Sequence, residues 1–254
     1  MKRRNVVSLV LIAALAMLSN TPAHAAEGEI TVLVNQGALS GVRDLAAGFE
    51  KASGHKVVID FVGVPEQAEK INTDAPGDVV VNFMPAFEDL IKRNKVVGSV
   101  VEFARAGNGV AVKAGAPKPD ISTAEGFKQA MLNAKSIGHS NGGTGPYNTR
   151  LFQKLGIYDQ IKDKIKIIQG KPVAVAVADG EVEIGIQQTN VIQPFPGTEY
   201  LGPLPPDLIE YGRFGAAVMT VSKNRDAAQA LIKFMVDPAN HALIRKSAME
   251  PPAR

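Results

Sequence analysis

The chain has 254 residues, with 28 Lys and Arg against 25 Asp and Glu, and it has no cysteine. Its three excess basic residues all fall among the first four positions, so residues 26–254 are charge-balanced and carry no basic stripe, which excludes nucleic acid as the expected partner. Without cysteine the fold must rest on an apolar core, for which one large domain or two lobes of this length suffice.

Lys2, Arg3 and Arg4 form a basic head, Val6 to Leu18 is an apolar run, and Ala23-His24-Ala25 offers small residues at the recognition positions. The run is too short to span a bilayer comfortably. Residues 1–25 therefore read as a cleavable signal peptide, directing the chain to a periplasm with no membrane insertion after processing.

From Ile30 the pattern alternates strand and helix. Ile30 to Val34 reads as a strand, Ser40 as the cap of a helix through Val42, Leu45, Ala46 and Phe49, and Gly54 as its stop. Lys56 to Phe61 is a second strand, its Val57-Val58-Ile59 run expected to be buried on both faces. Pro65 opens a second helix, Asp78 to Val81 is a third strand, and Met84 to Ile91 is helical. Further strands are predicted over Gly107–Lys113, Lys135–Gly138, Ile165–Ile168, Val182–Ile186 and Phe214–Val221. Helices are predicted over Ser122–Asn133, Thr144–Leu155, Asp226–Met235 and Pro238–Lys246. Gly202 to Leu208, with three prolines, reads as a stiff extended linker.

Apolar runs separated by helices imply α/β lobes with mostly parallel sheets flanked by helices. Boundaries near Gly107 and Gly212 divide the chain into lobe 1 (residues 26–106 and 213–254) and lobe 2 (residues 107–212). Strands at both boundaries are placed to cross between the lobes.

In open parallel sheets, ligands bind beyond the carboxyl ends of the strands. Those ends hold Asn35-Gln36-Gly37-Ala38, Val62-Gly63-Val64, Asn82-Phe83, His139 to Thr144, and Gln187 to Asn190. The set is neutral and rich in hydrogen-bond donors, without acidic residues or metal-ligand spacing. In the stretch GHSNGGTGPY, residues 138–147, Gly142 and Gly143 would let backbone N–H groups approach an anion at a helix N-terminus. The same glycines equally suit a strand-to-helix turn, and Ser140, Asn141 and Thr144 equally suit a plain helix cap. The stretch is neither a P-loop nor a dinucleotide fingerprint. His139 is the histidine of this set; no Ser-His-Asp pattern accompanies it.

The segments ITVLVNQGALSGVRDLAAGFEKASGHKVVIDF, APGDVVVNF, LFQKLGIYDQIKDKIK, VADGEVEIGI and AAQALIKFMVDPAN, in this order, resemble the periplasmic molybdate-binding proteins of the type II solute-binding superfamily. The resemblance covers nearly all of residues 26–254. It implies two α/β lobes, two hinge strands and an interlobe cleft that closes on a small anion, in a monomer that serves an ABC permease and needs no cofactor. Molybdate binders of the family carry a serine in the first loop and one or two in the second. Here those places are Gly37, Gly63 and Val64, so the expected ligand, a small anionic solute that is an oxyanion or an organic acid, is bulkier than molybdate and sits in a larger cleft.

The expected contacts are Asn35, Gln36, Gly37, Gly63, Asn82, Ser140, Asn141, Thr144, Tyr147 and Gln188. The chain is also similar to the aconitate isomerase branch of these proteins, which implies an alternative: allylic proton transfer between trans- and cis-aconitate in the same cleft. His139 is then the candidate shuttle, and Arg43, Arg150 and Arg213 are candidate carboxylate partners. A sensor or structural role on the same fold is a third reading.

Overall fold

The structure, a computed structural model, describes residues 28–141, 144–193 and 195–253. The signal peptide reading of residues 1–25 and the glycines Gly142 and Gly143 lie outside the described residues.

The first half opens with β1 (Glu29–Val34), α1 (Leu39–Ser53), β2 (Lys56–Phe61), α2 (Val64–Asn72), β3 (Val79–Phe83), α3 (Ala86–Lys92) and β4 (Val96–Ala106). The chain then enters a second body through β5 (Asn108–Lys113), α4 (Ala124–Asn133), β6 (Ile137–Ser140), α5 (Thr144–Lys154), α6 (Tyr158–Ile161) and β7 (Ile165–Ile168). That body continues with α7 (Val173–Ala178), β8 (Ile184–Gln188), α8 (Thr189–Ile192) and β9 (Thr198–Pro203). It returns to the first through β10 (Gly212–Met219), followed by α9 (Arg225–Val236) and α10 (His241–Lys246).

Two five-stranded sheets result, ordered β2-β1-β3-β10-β4 and β7-β6-β8-β5-β9. The orders correspond strand for strand. In each sheet three strands run parallel, and the fourth, which enters from the other lobe, is antiparallel to both of its neighbours. The parallel half follows from helical crossovers, and the antiparallel insertion from a chain that arrives from the opposite side.

Each sheet is covered on both faces. In the first, Val32, Val81, Phe214 and Ala216 pack against Val42, Leu45 and Phe49 of α1 and Leu231 of α9. The opposite face, through Leu33 and Val80, packs on Ile71 of α2 and Phe87 of α3. In the second sheet, Val110, Ile137 and Ile186 meet Phe127 of α4 and Leu151 and Phe152 of α5. Each lobe thus carries apolar layers on both faces of its sheet, as a chain of alternating apolar runs dictates.

Several expectations change. β2 lies at a sheet edge, so its Val57-Val58-Ile59 run is half-buried rather than enclosed. Ser40 is inside α1, whose cap is Ala38 and lacks a side-chain cap bond, while Gly54 ends the helix at φ 78°. The proline-rich segment is not a straight linker. Gly202 and Pro203 close β9, and the N–H groups of Leu208 and Ile209 then turn back to the Pro205 carbonyl.

Candidate functional site: a cavity between the lobes

The loop ends of lobe 1 are occupied by a buried amide network. Gln67 of α2, 1% exposed, accepts at Oε1 from Asn35 Nδ2 at 3.0 Å and Asn82 Nδ2 at 2.9 Å. Its own Nε2 donates to the carbonyls of Leu33 (3.2 Å) and Val81 (3.0 Å). Asn35 Nδ2 also reaches Asn82 Oδ1 at 3.4 Å, and Asn35 Oδ1 accepts from the Gly37 N–H at 3.2 Å. Both hydrogens of the Asn35 amide are thereby engaged, and it ties strand ends together rather than presenting itself to a guest. Gln67 escaped the sequence reading because nothing in a helical Gln-Ala-Glu run distinguishes a buried amide from a solvated one.

The 138–147 stretch is organised by a close approach. A Cβ at Gly145 of α5 would strike the Ser140 carbonyl oxygen, so only glycine lets the helix lie this near the end of β6. His139 Nδ1 stands 3.0 Å from that same carbonyl and therefore carries the proton. Burial lowers the His139 pKa, opposed in part by this bond, so the ring is neutral at pH 7. Its Nε2 has no partner among the described residues. Ser140 Oγ and Thr144 Oγ1 pair at 3.0 Å across the turn.

Beyond these loops a cavity of about 730 Å³ opens between the lobes, within the usual range for small-molecule sites. Lobe 1 contributes an apolar wall from Phe83, Met84, Phe87, Ile91 and Val100. Lobe 2 contributes Asn108, Thr144, Tyr147 and Gln188, and the two crossings supply Ala106, Tyr211 and Gly212.

Four charged residues border the cavity. Arg213 of β10 is held by Glu102, which accepts from Nε at 2.7 Å and Nη2 at 2.5 Å, and that bond raises the arginine's pKa. Arg150 of α5 faces Glu210 more loosely, Nη2 to Oε2 3.7 Å. Glu88 completes the set. Tyr147 donates its hydroxyl to the Leu208 carbonyl; burial, then the nearby Glu210 charge, push its pKa up to about 12, so it remains a neutral donor.

Of the expected contacts, the structure brings Thr144, Tyr147 and Gln188 to the cavity wall, together with Arg150 and Arg213. Asn35 and Asn82 are held by Gln67 as described. Gln36, Gly63 and Asn141 are exposed at loop tips outside the lining, Ser140 lies behind Thr144, and Arg43 is exposed on α1. His139 is 2% exposed and is not among the residues lining the cavity.

The expectation of extra room at Gly37 is corrected as well. A Cβ there would come within 3.1 Å of both Gln188 Oε1 and Phe214 Cε1. That space is taken by Gln188 of the facing lobe and by Phe214 of the same lobe, and Gly37 is not among the residues lining the cavity. Glu88, Glu210 and Tyr211 were missed because two of them lie on a crossing segment and the third on a helix, not at strand ends.

Two three-layer lobes, two crossings and a cavity between them define a solute-binding protein of the two-lobed type. A family model described as bacterial extracellular solute-binding protein matches residues 30–250, and the chain belongs to that family. It is 29% identical over 246 residues to an aconitate isomerase of a Pseudomonas species, covering 92% of this chain and 93% of that protein. It is 28% identical over 250 residues to the molybdate-binding protein ModA of Azotobacter vinelandii, covering 94% and 96%. The solved periplasmic molybdate-binding protein of Azotobacter vinelandii superposes with a TM-score of 0.71 at 22% identity, over 88% of this chain and 100% of that one. Among the described residues no helix is long and apolar enough to cross a membrane, and no cluster of His, Asp and Glu has metal-site geometry.

Proposed function

We propose that the chain is a periplasmic binding protein that takes a small organic anion into the interlobe cavity and, as a monomer, hands it to an ABC permease. The lobe boundaries in this reading fall near Gly107 and Gly212, and no cofactor is invoked. The observation that carries it is the pairing of an apolar wall, Phe83 to Val100, with arginines from opposite lobes, Arg150 and Arg213. A carbon skeleton would bury against the wall while carboxylates meet the guanidinium groups, which bind planar anions bidentately. A bare tetrahedral oxyanion has no carbon to place on that wall, and the filled volume at Gly37 removes the position where a serine hydroxyl would meet it.

The relatives favour anions in general, since one is named for molybdate and one for aconitate. The test is a thermal-shift panel of citrate, trans-aconitate, molybdate, tungstate and sulfate. A ligand at 100 times its dissociation constant stabilises the fold by about 2.7 kcal/mol. Carboxylates are expected to raise the melting temperature; a shift from the inorganic oxyanions alone would overturn the reading.

A second reading, an aconitate isomerase, is favoured by the 29% identity to such an enzyme and by the two carboxylates, Glu88 and Glu210, on the cavity wall. In this reading one of them, rather than His139, removes the allylic proton and returns it to the other end of the same allyl system. The arginines stabilise the intervening carbanion. Incubation with trans-aconitate followed by chromatography decides it: cis product above a buffer blank supports the enzyme, and none removes it.

A further inference from the structure

The cavity proposed to take an organic anion is not an electropositive trap. Arg150 and Arg213 border it together with Glu88 and Glu210, so its lining is formally neutral. The two arginines also differ. Arg213 is engaged by Glu102 through two short contacts, at 2.7 and 2.5 Å. Arg150 has only a loose partner in Glu210, 3.7 Å away and beyond hydrogen-bond distance, with both side chains mostly exposed (63% and 69%).

Glu210 also sits on the segment that crosses from β9 to β10, two residues after Leu208, to whose carbonyl Tyr147 of α5 is bonded. A carboxylate on the crossing therefore rests against the guanidinium that is least committed elsewhere.

Resting on the anion-binding reading, we propose that Glu210 sets the affinity of the site, as an internal carboxylate that competes with the ligand for Arg150. An exposed ion pair at this separation is weak, so a ligand carboxylate that forms a bidentate pair with Arg150 displaces it. The displacement cost is the same for every carboxylate that forks onto Arg150, so Glu210 lowers affinity across the whole class without any change in the shape of the cavity.

The experiment is calorimetric titration of trans-aconitate and of acetate into the wild-type chain, Glu210→Gln, Arg150→Gln and the double variant. Removal of a competing exposed ion pair is expected to tighten trans-aconitate binding about three- to fivefold. Acetate, which forks onto the guanidinium in the same way, is expected to gain by a similar factor. In the Arg150→Gln background the Glu210→Gln gain is expected to vanish, since the competition acts through Arg150. Unchanged or weaker binding by Glu210→Gln overturns the proposal, the weaker case making Glu210 a contact to a donor on the ligand. An equal gain with and without Arg150 also overturns it, because the effect is then bulk charge alone. If trans-aconitate binds wild type and Glu210→Gln changes nothing, only this inference falls. If neither carboxylate binds any of the four proteins, the anion reading falls with it. Circular dichroism melting checks that the exposed substitution leaves the fold intact.

Discussion

Asn190 reaches from α8 of one lobe to the first loop of the other, its Nδ2 donating to the Gly37 carbonyl at 2.9 Å. The same amide donates to Ser40 Oγ at 3.0 Å. A neighbouring contact, Thr189 Oγ1 to the Ala248 carbonyl at 3.0 Å, runs beside it. The lobes are thus latched on the Gly37 side of Gln188 while the cavity stays open on the other. This arrangement is what moves the candidate ligand volume away from the loop tips.

Asn190→Ala should weaken that latch. The half-buried Gly37 carbonyl would lose its partner, and about 1 kcal/mol of stability is expected to go with it. Denaturant unfolding measures the loss, and small-angle scattering of the unliganded protein should show a larger radius of gyration. An unchanged radius and midpoint would show that the contact holds nothing.

Gln67→Leu tests the lobe 1 amide network. Four polar groups, on Asn35, Asn82, Leu33 and Val81, would lose a partner in a buried setting. A loss of about 3 kcal/mol or more in unfolding free energy is expected. A loss under about 1 kcal/mol would mean that the network reorganises around the substitution.

Gly145→Ala should fail for a local reason. The added methyl meets a backbone oxygen, not a flexible side chain, so the end of β6 or the start of α5 must move. About 1–3 kcal/mol of destabilisation is expected, as for other overpacked sites. Because Thr144 and Tyr147 of α5 line the cavity, ligand affinity should fall with it.

The neutral buried His139 predicts a pH dependence. Its folded pKa lies below the unfolded value near 6.5, so the unfolded chain binds the extra proton first. This residue's contribution is fully present above about pH 6.5 and is lost as the pH falls below it. His139→Gln should flatten the stability profile between about pH 5 and 6.5, above the range where ordinary carboxylates titrate. An identical slope in the variant would mean that the folded ring takes up its proton as readily as the unfolded one.

The alternation of strand and helix was legible because each apolar run is bounded by glycine, proline or a polar turn. Ile30 to Val34 and Ile165 to Ile168 are strands as their patterns require. β4 was not assigned: Glu102 and Arg105 interrupt its apolar pattern, and as an edge strand it needs only one buried face. α7, Val-Ala-Val-Ala-Val-Ala, has β-branched residues that favour strand by themselves; Pro172 precedes it, and burial on four of its positions decides for helix. The site was legible only in part. Strand ends could be collected from periodicity, and they led to Thr144 and Gln188. The lining from Tyr211, Glu210 and Phe87 depends on how one lobe sits against the other, and no local pattern encodes that.

The most direct measurement is calorimetric titration of trans-aconitate into the wild-type protein and Arg150→Gln. Saturable one-to-one binding is expected for wild type, and affinity at least about tenfold lower for the variant, the loss expected for a charge-assisted hydrogen bond. Equal affinity in the two proteins, or heat from molybdate and sulfate with none from trans-aconitate, would contradict an organic anion held at Arg150.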